Sequence, residues 1–244
     1  MRNLLVSFCL FFFTATFAQF PTTYNDSSSS SKLEKNTTAH SFQKSTKFSF
    51  GVHLSPTISW FEIKHNDLHT DGAAITGGIG LIAEYNTNRL FSLVSGLNFN
   101  MPTGYAFDAN SMTDLTTRNN FLLKFYTLEV PILLKIKTLP IDNIIYYTQG
   151  GLNAGYRISS KELHYASSSA YNDVHSSFNS YSNPFQLSYS IGFGASYQTN
   201  RNHSVFGEVN YKSSLVNLAS KDGFTTTVPE IYSGSMVFTL GVMF

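Results

Sequence analysis

Apolar and polar residues alternate along most of this chain with a period of two. In PFQLSYSIGFGASYQ, residues 184–198, every second position from Phe185 to Tyr197 is apolar or aromatic, and the positions between are Gly, Ser or Gln. Such alternation predicts β-strands, because successive side chains of a strand point to opposite faces. The same period occurs in eight segments: 47–61, 73–85, 90–101, 125–137, 144–157, 184–198, 203–216 and 232–244.

The connections between these segments alternate between long and short. Three are short turns, at residues 86–89, 138–143 and 199–202. Four are long polar loops, at residues 62–72, 103–119, 158–183 and 218–231. This spacing predicts an all-β fold, an eight-stranded antiparallel up-and-down transmembrane β-barrel with both chain ends on the short-turn side.

The composition of the two faces decides between a barrel in lipid and a barrel in water. A soluble barrel such as a lipocalin turns its apolar face inward and a charged face to water. Here the polar face holds mainly Gly, Ser, Thr, Asn and Gln, which suits a narrow, filled interior. The apolar face carries aromatic residues at both strand ends, as a lipid-facing wall requires. They are Phe48, Tyr85, Phe91, Tyr146, Tyr197 and Phe244 at the short turns, and Trp60, Phe99, Tyr126, Tyr156, Phe185 and Tyr232 near the long loops.

The first 46 residues follow a different pattern. Arg2, the apolar run at residues 4–13 and the small residues Thr16 and Ala18 predict a secretory signal peptide, residues 1–18. Residues 19–46 are polar and rich in serine and threonine, so we expect a disordered periplasmic tail. The barrel is predicted to occupy residues 47–244.

Charge and cysteine content narrow the range of functions. Charged residues make up only 13% of the chain, against about 25% in soluble domains. Without Arg2, the numbers of basic and acidic residues are equal, so we expect no basic surface and no binding of nucleic acid. The one cysteine, Cys9, lies in the predicted signal peptide, so no disulfide is expected in the mature chain.

Six charged residues fall at inward-facing positions of the predicted strands. They are three acids and three bases: Glu84, Glu129, Lys135, Arg157, Glu208 and Lys212. Buried charges are tolerated only when they are paired. We therefore predict a structural charge network in the lumen, with an ion or proton path as the functional alternative.

The first long loop offers a weak metal-binding candidate. His65 and His69, together with Asp67 and Asp71, have side chains of the kinds that bind metals. No helix organises their spacing, so a solvated polar loop is the preferred interpretation, and we expect no metal and no cofactor.

The third long loop, at residues 158–183, is rich in Ser, Tyr and Asn. This mixture suits surface binding, because tyrosine gives contact area at a low entropy cost, but an ordinary mobile surface loop is the preferred interpretation. The loop also contains His164 and His175 beside several serines. No nucleophile motif such as G-x-S-x-G accompanies them, so we expect that the protein is not an enzyme.

The fourth segment also carries a family resemblance. Its sequence YTLEVPILLK resembles the Y-L-E-I-P-L-L-L-K signature of the PorT-like outer-membrane β-barrel family of Bacteroidota. The matching residues are Tyr126, Leu128, Glu129, Pro131, Leu133, Leu134 and Lys135. The stretch GGLNAGY at 150–156 and the terminal Phe244 resemble the family as well. The resemblance implies an eight-stranded outer-membrane barrel and, in some members, a part in type IX secretion.

Within the same segment, Pro131 removes a hydrogen-bond donor from a strand, which predicts a bulge or a local break in pairing.

The combined expectation is an integral outer-membrane protein that is structural, or accessory to protein secretion or surface binding. The expected partners are outer-membrane lipids, the barrel-assembly machinery acting on the strand that ends in Phe244, and secretion-system proteins. A narrow channel and a lipid-modifying enzyme are the alternatives.

Overall fold

The computed structural model describes residues 47–64, 68–108, 120–165, 171–176, 183–199, 203–219 and 230–244. All described residues belong to one compact unit, Gln43–Phe244. The predicted signal peptide and tail therefore lie outside the described residues. Within the described ranges, no helix is long and apolar enough to cross a membrane.

The described residues form one antiparallel sheet of twelve strands. The strands are β1 (Phe48–Leu54), β2 (Thr57–Lys64), β3 (Leu68–Thr76), β4 (Gly78–Asn86), β5 (Phe91–Asn100), β6 (Thr103–Asp108), β7 (Asn120–Lys137), β8 (Ile144–Tyr165), β9 (Tyr171–Ser176), β10 (Phe185–Gln198), β11 (Ser204–Ser214) and β12 (Glu230–Met243).

The sheet closes on itself. Hydrogen-bonded neighbours lead from β1 through β4, β5, β7, β8, β10, β11 and β12, and β12 pairs again with β1. On the long-loop side, β2, β3 and β6 continue the wall between β12 and β7. Closure leaves no sheet edge with unpaired backbone N–H and C=O groups along this path.

The consecutive strands β1 and β2 pair with β12 in one register. Leu54 of β1 pairs with Leu240, and Thr57 of β2, three residues later, pairs with Val237, three residues earlier on β12. Between β1 and β2, the Phe238 N–H still donates to the Pro56 carbonyl at 2.9 Å. Proline has no N–H of its own, so the ladder is interrupted there without a change of direction.

The same continuity links two further strand pairs. Ser55 and Gly78 exchange two backbone hydrogen bonds of 2.8 and 3.0 Å at the break between β3 and β4. At the break between β5 and β6, the Phe125 N–H donates to the Pro102 carbonyl at 2.9 Å. Both β5 and β6 keep a single register against β7.

The strand count and the predicted loops need correction. Two predicted strands, 47–61 and 73–85, are each divided in two, and β6 and β9 lie in predicted loops, which gives twelve strands rather than eight. The strand β8 also continues into the predicted loop at 158–183 and ends at Tyr165. The extension of β8 is mostly polar, and β6 and β9 are only six residues long, so none of them shows a sustained alternation of apolar and polar residues.

Pro131 produces a gap in pairing without a bulge. Between β5 and β7, the pairs Ser95–Ile132 and Asn98–Glu129 have the same register, and the two positions between them are unpaired. The register shift of β7 lies instead between Tyr126 and Thr127, against β8. Of the two outcomes predicted for Pro131, a bulge or a local break, the structure has the local break.

The two faces of the sheet are inverted relative to a soluble protein. Buried and exposed residues alternate strictly from Thr127 to Ile136 in β7. The outward Ile132 is 63% exposed, whereas the inward Glu129 is only 4% exposed. The apolar side chains therefore cover the outside, and the polar and charged side chains fill the interior.

Candidate functional site

The lumen contains all six charged residues singled out in the sequence. Glu84, Glu129, Lys135 and Arg157 are buried, and Glu208 and Lys212 are half-buried. The strands β4, β7, β8 and β11 position them on the inner face of the sheet. They form separate groups at different heights rather than one cluster.

The first group lies near the short turns. Glu84 accepts hydrogen bonds from Lys135 Nζ at 2.9 Å and from Lys137 Nζ at 2.7 Å. Lys137 also donates to Asn86 Oδ1 at 2.5 Å. Lys137 was missed in the sequence, although it lies two positions from Lys135 on the same face of β7. Two cations on one carboxylate give this group a net positive charge.

The second group lies in the middle of the lumen. Lys212 of β11 forms an ion pair with Glu129 of β7, strands that are not neighbours in the sheet. Asn100 Nδ2 donates to the same carboxylate oxygen, Glu129 Oε2, at 2.7 Å. This pair therefore ties opposite parts of the wall together across the interior.

Glu208 is bound by neutral donors among the described residues. Tyr147 donates its hydroxyl to Glu208 Oε2 at 3.0 Å, and Asn210 Nδ2 donates to Oε1 at 2.8 Å. Lys135 Nζ lies 4.3 Å from the centroid of the Tyr147 ring, a cation–π distance. Tyr147 thus connects the group near the short turns with Glu208.

An apolar cluster fills the lumen on the long-loop side. We call it the loop-side cluster, and it consists of Phe61, Leu123, Phe125, Leu218, Ala219 and Ile231. Phe61 and Phe125 meet edge to face at 5.3 Å, and both are 1% exposed. The Arg157 guanidinium lies 4.6 Å from the Phe125 ring centroid, and Nη2 donates to the Leu218 carbonyl at 3.3 Å.

A second apolar cluster lies closer to the short turns. We call it the turn-side cluster, and it consists of Ile82, Val94, Leu133, Phe206 and Met243. On β4 and β7, Ile82 and Leu133 come two residues before Glu84 and Lys135. This cluster therefore separates the charge group near the short turns from the middle of the lumen along those strands.

Between the two clusters lies a cavity of about 100 Å³, lined by polar side chains together with apolar ones. In this lining, His53 has Ser55 Oγ at 2.9 Å from Nδ1 and Asn98 Oδ1 at 3.0 Å from Nε2. The amide oxygen of Asn98 can only accept, so Nε2 carries the proton and Ser55 donates to Nδ1. Alternation predicts that His53 and Ser55 share a face, but the contact with Asn98 required the fold.

This trio has the connectivity of a nucleophile, a base and an orienting group. Ser55 is only 3% exposed, and its backbone N–H donates to the Gly78 carbonyl. Acyl transfer requires hydrogen-bond donors that stabilise an oxyanion, and this N–H is not available as one of them.

The loop candidates fall outside what the structure describes. His65 and Asp67 lie in an undescribed segment, and the side chains of His69 and Asp71 are not described. The side chains of His164 and His175 are likewise not described. Within the described ranges, no group of three or more His, Cys, Asp or Glu is placed to hold a metal ion.

The outer face of the sheet is apolar around its circumference. Phe185 and Phe193 are each 68% exposed. Aromatic side chains pair at both strand ends, with Phe48 and Tyr85 at 4.9 Å and Tyr156 and Phe185 at 5.5 Å between ring centroids. Monomeric soluble proteins rarely expose apolar patches of this extent. A closed antiparallel sheet with this outer face and a polar lumen defines a transmembrane β-barrel.

The family model described as outer membrane protein beta-barrel domain matches residues 17–220. The chain belongs to this family, and its all-β antiparallel fold is that of an outer-membrane β-barrel. The family indicates an integral location in the outer membrane. No curated protein sequence matches the chain.

Several solved outer-membrane proteins are similar in fold. Neisserial surface protein A has 14% identity, a TM-score of 0.42, and coverage of 81% of this chain and 96% of that one. OprG from Pseudomonas aeruginosa has 11% identity, a TM-score of 0.43, and coverage of 83% and 98%. The protease OmpT from Escherichia coli has 12% identity, a TM-score of 0.45, and coverage of 81% and 96%. At this level of similarity, they say nothing about function here.

Proposed function

We propose that the protein is a non-enzymatic outer-membrane barrel with a closed lumen, which serves as a scaffold for surface binding or for a secretion machine. The observation that carries this proposal is the loop-side cluster. Phe61, Phe125 and Ile231 are each 1% exposed inside the lumen. A barrel filled in this way acts through its loops, its turns and its lipid-facing wall rather than by passing solutes.

Eight membrane-crossing spans are part of this proposal. The shared registers support counting β1 with β2, β3 with β4, and β5 with β6 as single spans. Together with β7, β8, β10, β11 and β12 they make eight, and β9 is then an addition beyond the membrane. Eight strands leave an interior just wide enough to be filled by side chains.

The proposed orientation places the short turns and the predicted N-terminal tail in the periplasm and the long loops outside the cell. Outer-membrane barrels characteristically have short periplasmic turns and longer external loops. The short turns that contain Arg89 and Asp142 are the sites that periplasmic partners would reach. We propose the barrel-assembly machinery as the partner of the strand that ends in Phe244.

The secretion role derives from the PorT-like motif in β7. Two residues of that motif, Glu129 and Lys135, form lumen ion pairs with Lys212 and Glu84. The motif therefore has a structural explanation that any member with this barrel would share. Which accessory role the protein has is decided by its partners, and affinity purification of the tagged protein from outer membranes identifies them.

Conductance across planar bilayers tests the closed lumen. The purified barrel should give no discrete channels, because the loop-side cluster blocks the passage. The double variant Phe61→Ala, Phe125→Ala should conduct if those rings form the block, and the lipid-facing Phe193→Ala serves as the matched control. Steady discrete openings of the unmodified protein would make it a narrow channel and overturn the proposal.

The trio of His53, Ser55 and Asn98 gives the enzyme alternative a concrete test. A fluorophosphonate probe modifies a serine whose hydroxyl is activated by a histidine. We expect no adduct at Ser55 in the folded barrel, because the side chain is buried and its N–H is already bonded. An adduct found by mass spectrometry, and absent in His53→Ala, would establish a hydrolase-like site instead.

A further inference from the structure

The cavity in the middle of the lumen has room for small polar occupants. Its volume of about 100 Å³ would hold about three water molecules at the ~30 Å³ that each occupies in the liquid. Ile82, Val94 and Leu133 of the turn-side cluster border it on one side. Ser59 and Ser233, two residues from Phe61 and Ile231 of the loop-side cluster, border it on the other.

Two amides in the cavity wall have a buried atom without a hydrogen-bond partner among the described residues. They are Gln149, through Oε1, and Gln186, through Nε2. Gln149 is 4% exposed. Buried polar atoms are nearly always satisfied by protein or by ordered water, so each of these atoms calls for a partner inside the cavity.

The neighbours of Gln149 fix which of its atoms is free. The Glu208 carboxylate only accepts, so Asn210 presents Nδ2 to it at 2.8 Å and keeps Oδ1 for Gln149. Gln149 Nε2 then donates to that Oδ1 at 3.2 Å. The unpartnered atom is therefore the acceptor Oε1, which a water molecule could satisfy by donating.

A chain of polar groups leads from this cavity toward the short turns. Beyond Asn210 it passes from Glu208 to Tyr147, and from the Tyr147 ring to Lys135. Lys135 shares Glu84 with Lys137. The side chain of Lys137 is 14% exposed. This chain runs along β8 and β11, past the turn-side cluster.

The opposite end of the cavity lacks a comparable chain within the described part of the barrel. There, Phe61, Phe125 and Ile231 are packed to 1% exposure. Arg157 lies against Phe125 in the same layer and adds a positive charge. Apolar packing opposes the passage of water and hydrated ions through this layer.

We propose that the cavity is a hydrated chamber that binds a few water molecules and exchanges them, and small cations, with the short-turn side only. The water molecules complete the hydrogen bonds of Gln149 and Gln186. The polar chain from Lys137 to Asn210 provides the route. This inference rests on the loop-side closure of the proposed function and adds an access route from the other side.

Solid-state NMR in lipid bilayers tests the water. Magnetisation transferred from water should reach the side-chain amide of Gln186 quickly, as quickly as an exposed amide such as that of Asn88 in the turn after β4. A Gln186→Leu variant identifies the signal by its loss. If transfer to the Gln186 side-chain amide is no faster than transfer to the backbone amide of the buried Phe125, the cavity is dry and the proposal is overturned.

Silver ions test the sidedness of access. A Ser190→Cys thiol in a Cys9→Ser background lines the chamber, and Ala154→Cys, on the lipid face and outside the cavity lining, is the matched control. In vesicles that contain the folded protein in a known orientation, Ag⁺ is first added on the short-turn side. The protein is then unfolded and treated with a maleimide, and a Ser190→Cys thiol that has bound Ag⁺ should not be labelled. Ag⁺ added on the loop side should react severalfold more slowly, and Phe125→Ala should remove that difference.

The outcomes separate the two proposals. Equal reaction from both sides, or no reaction from the short-turn side in a folded barrel, would overturn the one-sided chamber. If the barrel does not conduct, either of these Ag⁺ results would leave the proposed closed lumen intact. Discrete conductance of the unmodified protein would overturn the closure itself.

Discussion

The two ends of the lumen are closed in different ways. On the loop side, Phe61, Phe125 and Ile231 pack tightly and are each 1% exposed. On the short-turn side, Glu84 is shared between Lys135 and Lys137, and the side chain of Lys137 retains 14% exposure. Apolar packing seals a passage because it offers water no partner, whereas ion pairs close a passage with groups that water also binds.

The two ends therefore depend on different kinds of interaction. The apolar clusters supply contacts that depend on shape, and the ion pairs supply links whose strength depends on the local dielectric and on salt. Substitutions at the two ends should therefore differ in size and in salt dependence.

The largest effect is expected in the loop-side cluster. Phe125→Ala removes a fully buried ring that contacts Phe61 and supports Arg157. It should lower the free energy of unfolding by roughly 3–5 kcal/mol, measured by urea titration in lipid vesicles. The lipid-facing Phe193→Ala loses the same ring without leaving a cavity, so its loss should be smaller. Equal losses would mean that the cluster is loosely packed.

A nearly comparable effect is expected from the pair in the middle of the lumen. Lys212→Met leaves the buried Glu129 carboxylate with Asn100 as its remaining donor. The free energy of unfolding should fall by about 3 kcal/mol. The double variant Glu129→Gln, Lys212→Met should recover much of that loss, because no unpaired charge remains. An unchanged unfolding midpoint for Lys212→Met would contradict the importance of the pair.

Near the short turns the loss should be smaller. Lys137→Ala leaves Glu84 paired with Lys135, so the free energy of unfolding should fall by only about 1 kcal/mol. Because Lys137 is partly exposed, high salt should reduce this loss further. A salt-independent loss as large as that of Lys212→Met would remove the contrast between the interior pair and this end.

The smallest change in the free energy of unfolding is expected on the outer wall. Phe48 and Tyr85 pair at 4.9 Å between ring centroids at the short-turn end. Phe48→Leu keeps an apolar side chain against lipid and loses only the aromatic contact, about 0.5–1 kcal/mol. A loss exceeding that of Lys137→Ala would show that the aromatic end of the wall matters more than the nearby ion pairs.

Much of the fold followed from alternation, because a strand with lipid on one side and a filled lumen on the other has a clear period of two. The inward positions of Glu129 and Lys212 are an example. The extensions β6 and β9 were missed because each is only six residues long, which is too short for alternation to distinguish a strand from a loop. Lys137 was missed although its position obeys the same alternation, and applying the rule to the end of the segment would have found it.

The partners of the lumen residues were beyond the reach of the sequence. Alternation gives the direction of a side chain but not its height relative to a strand on the other side of the barrel. That height depends on register, and register depends on features such as the shift between Tyr126 and Thr127. The contact of Asn98 with His53 and the position of Phe125 beside Arg157 both depend on it.

The sequence by itself determined most of the strands, the outward apolar face and six of the charges inside, because these depend on local periodicity and on the solvent that each face meets. Only the tertiary structure decided which acid meets which base, where the two apolar clusters close the lumen and where a polar cavity remains between them. Those features arise from contacts between residues far apart in the chain, such as Glu129 and Lys212, and closure of the sheet brings them together.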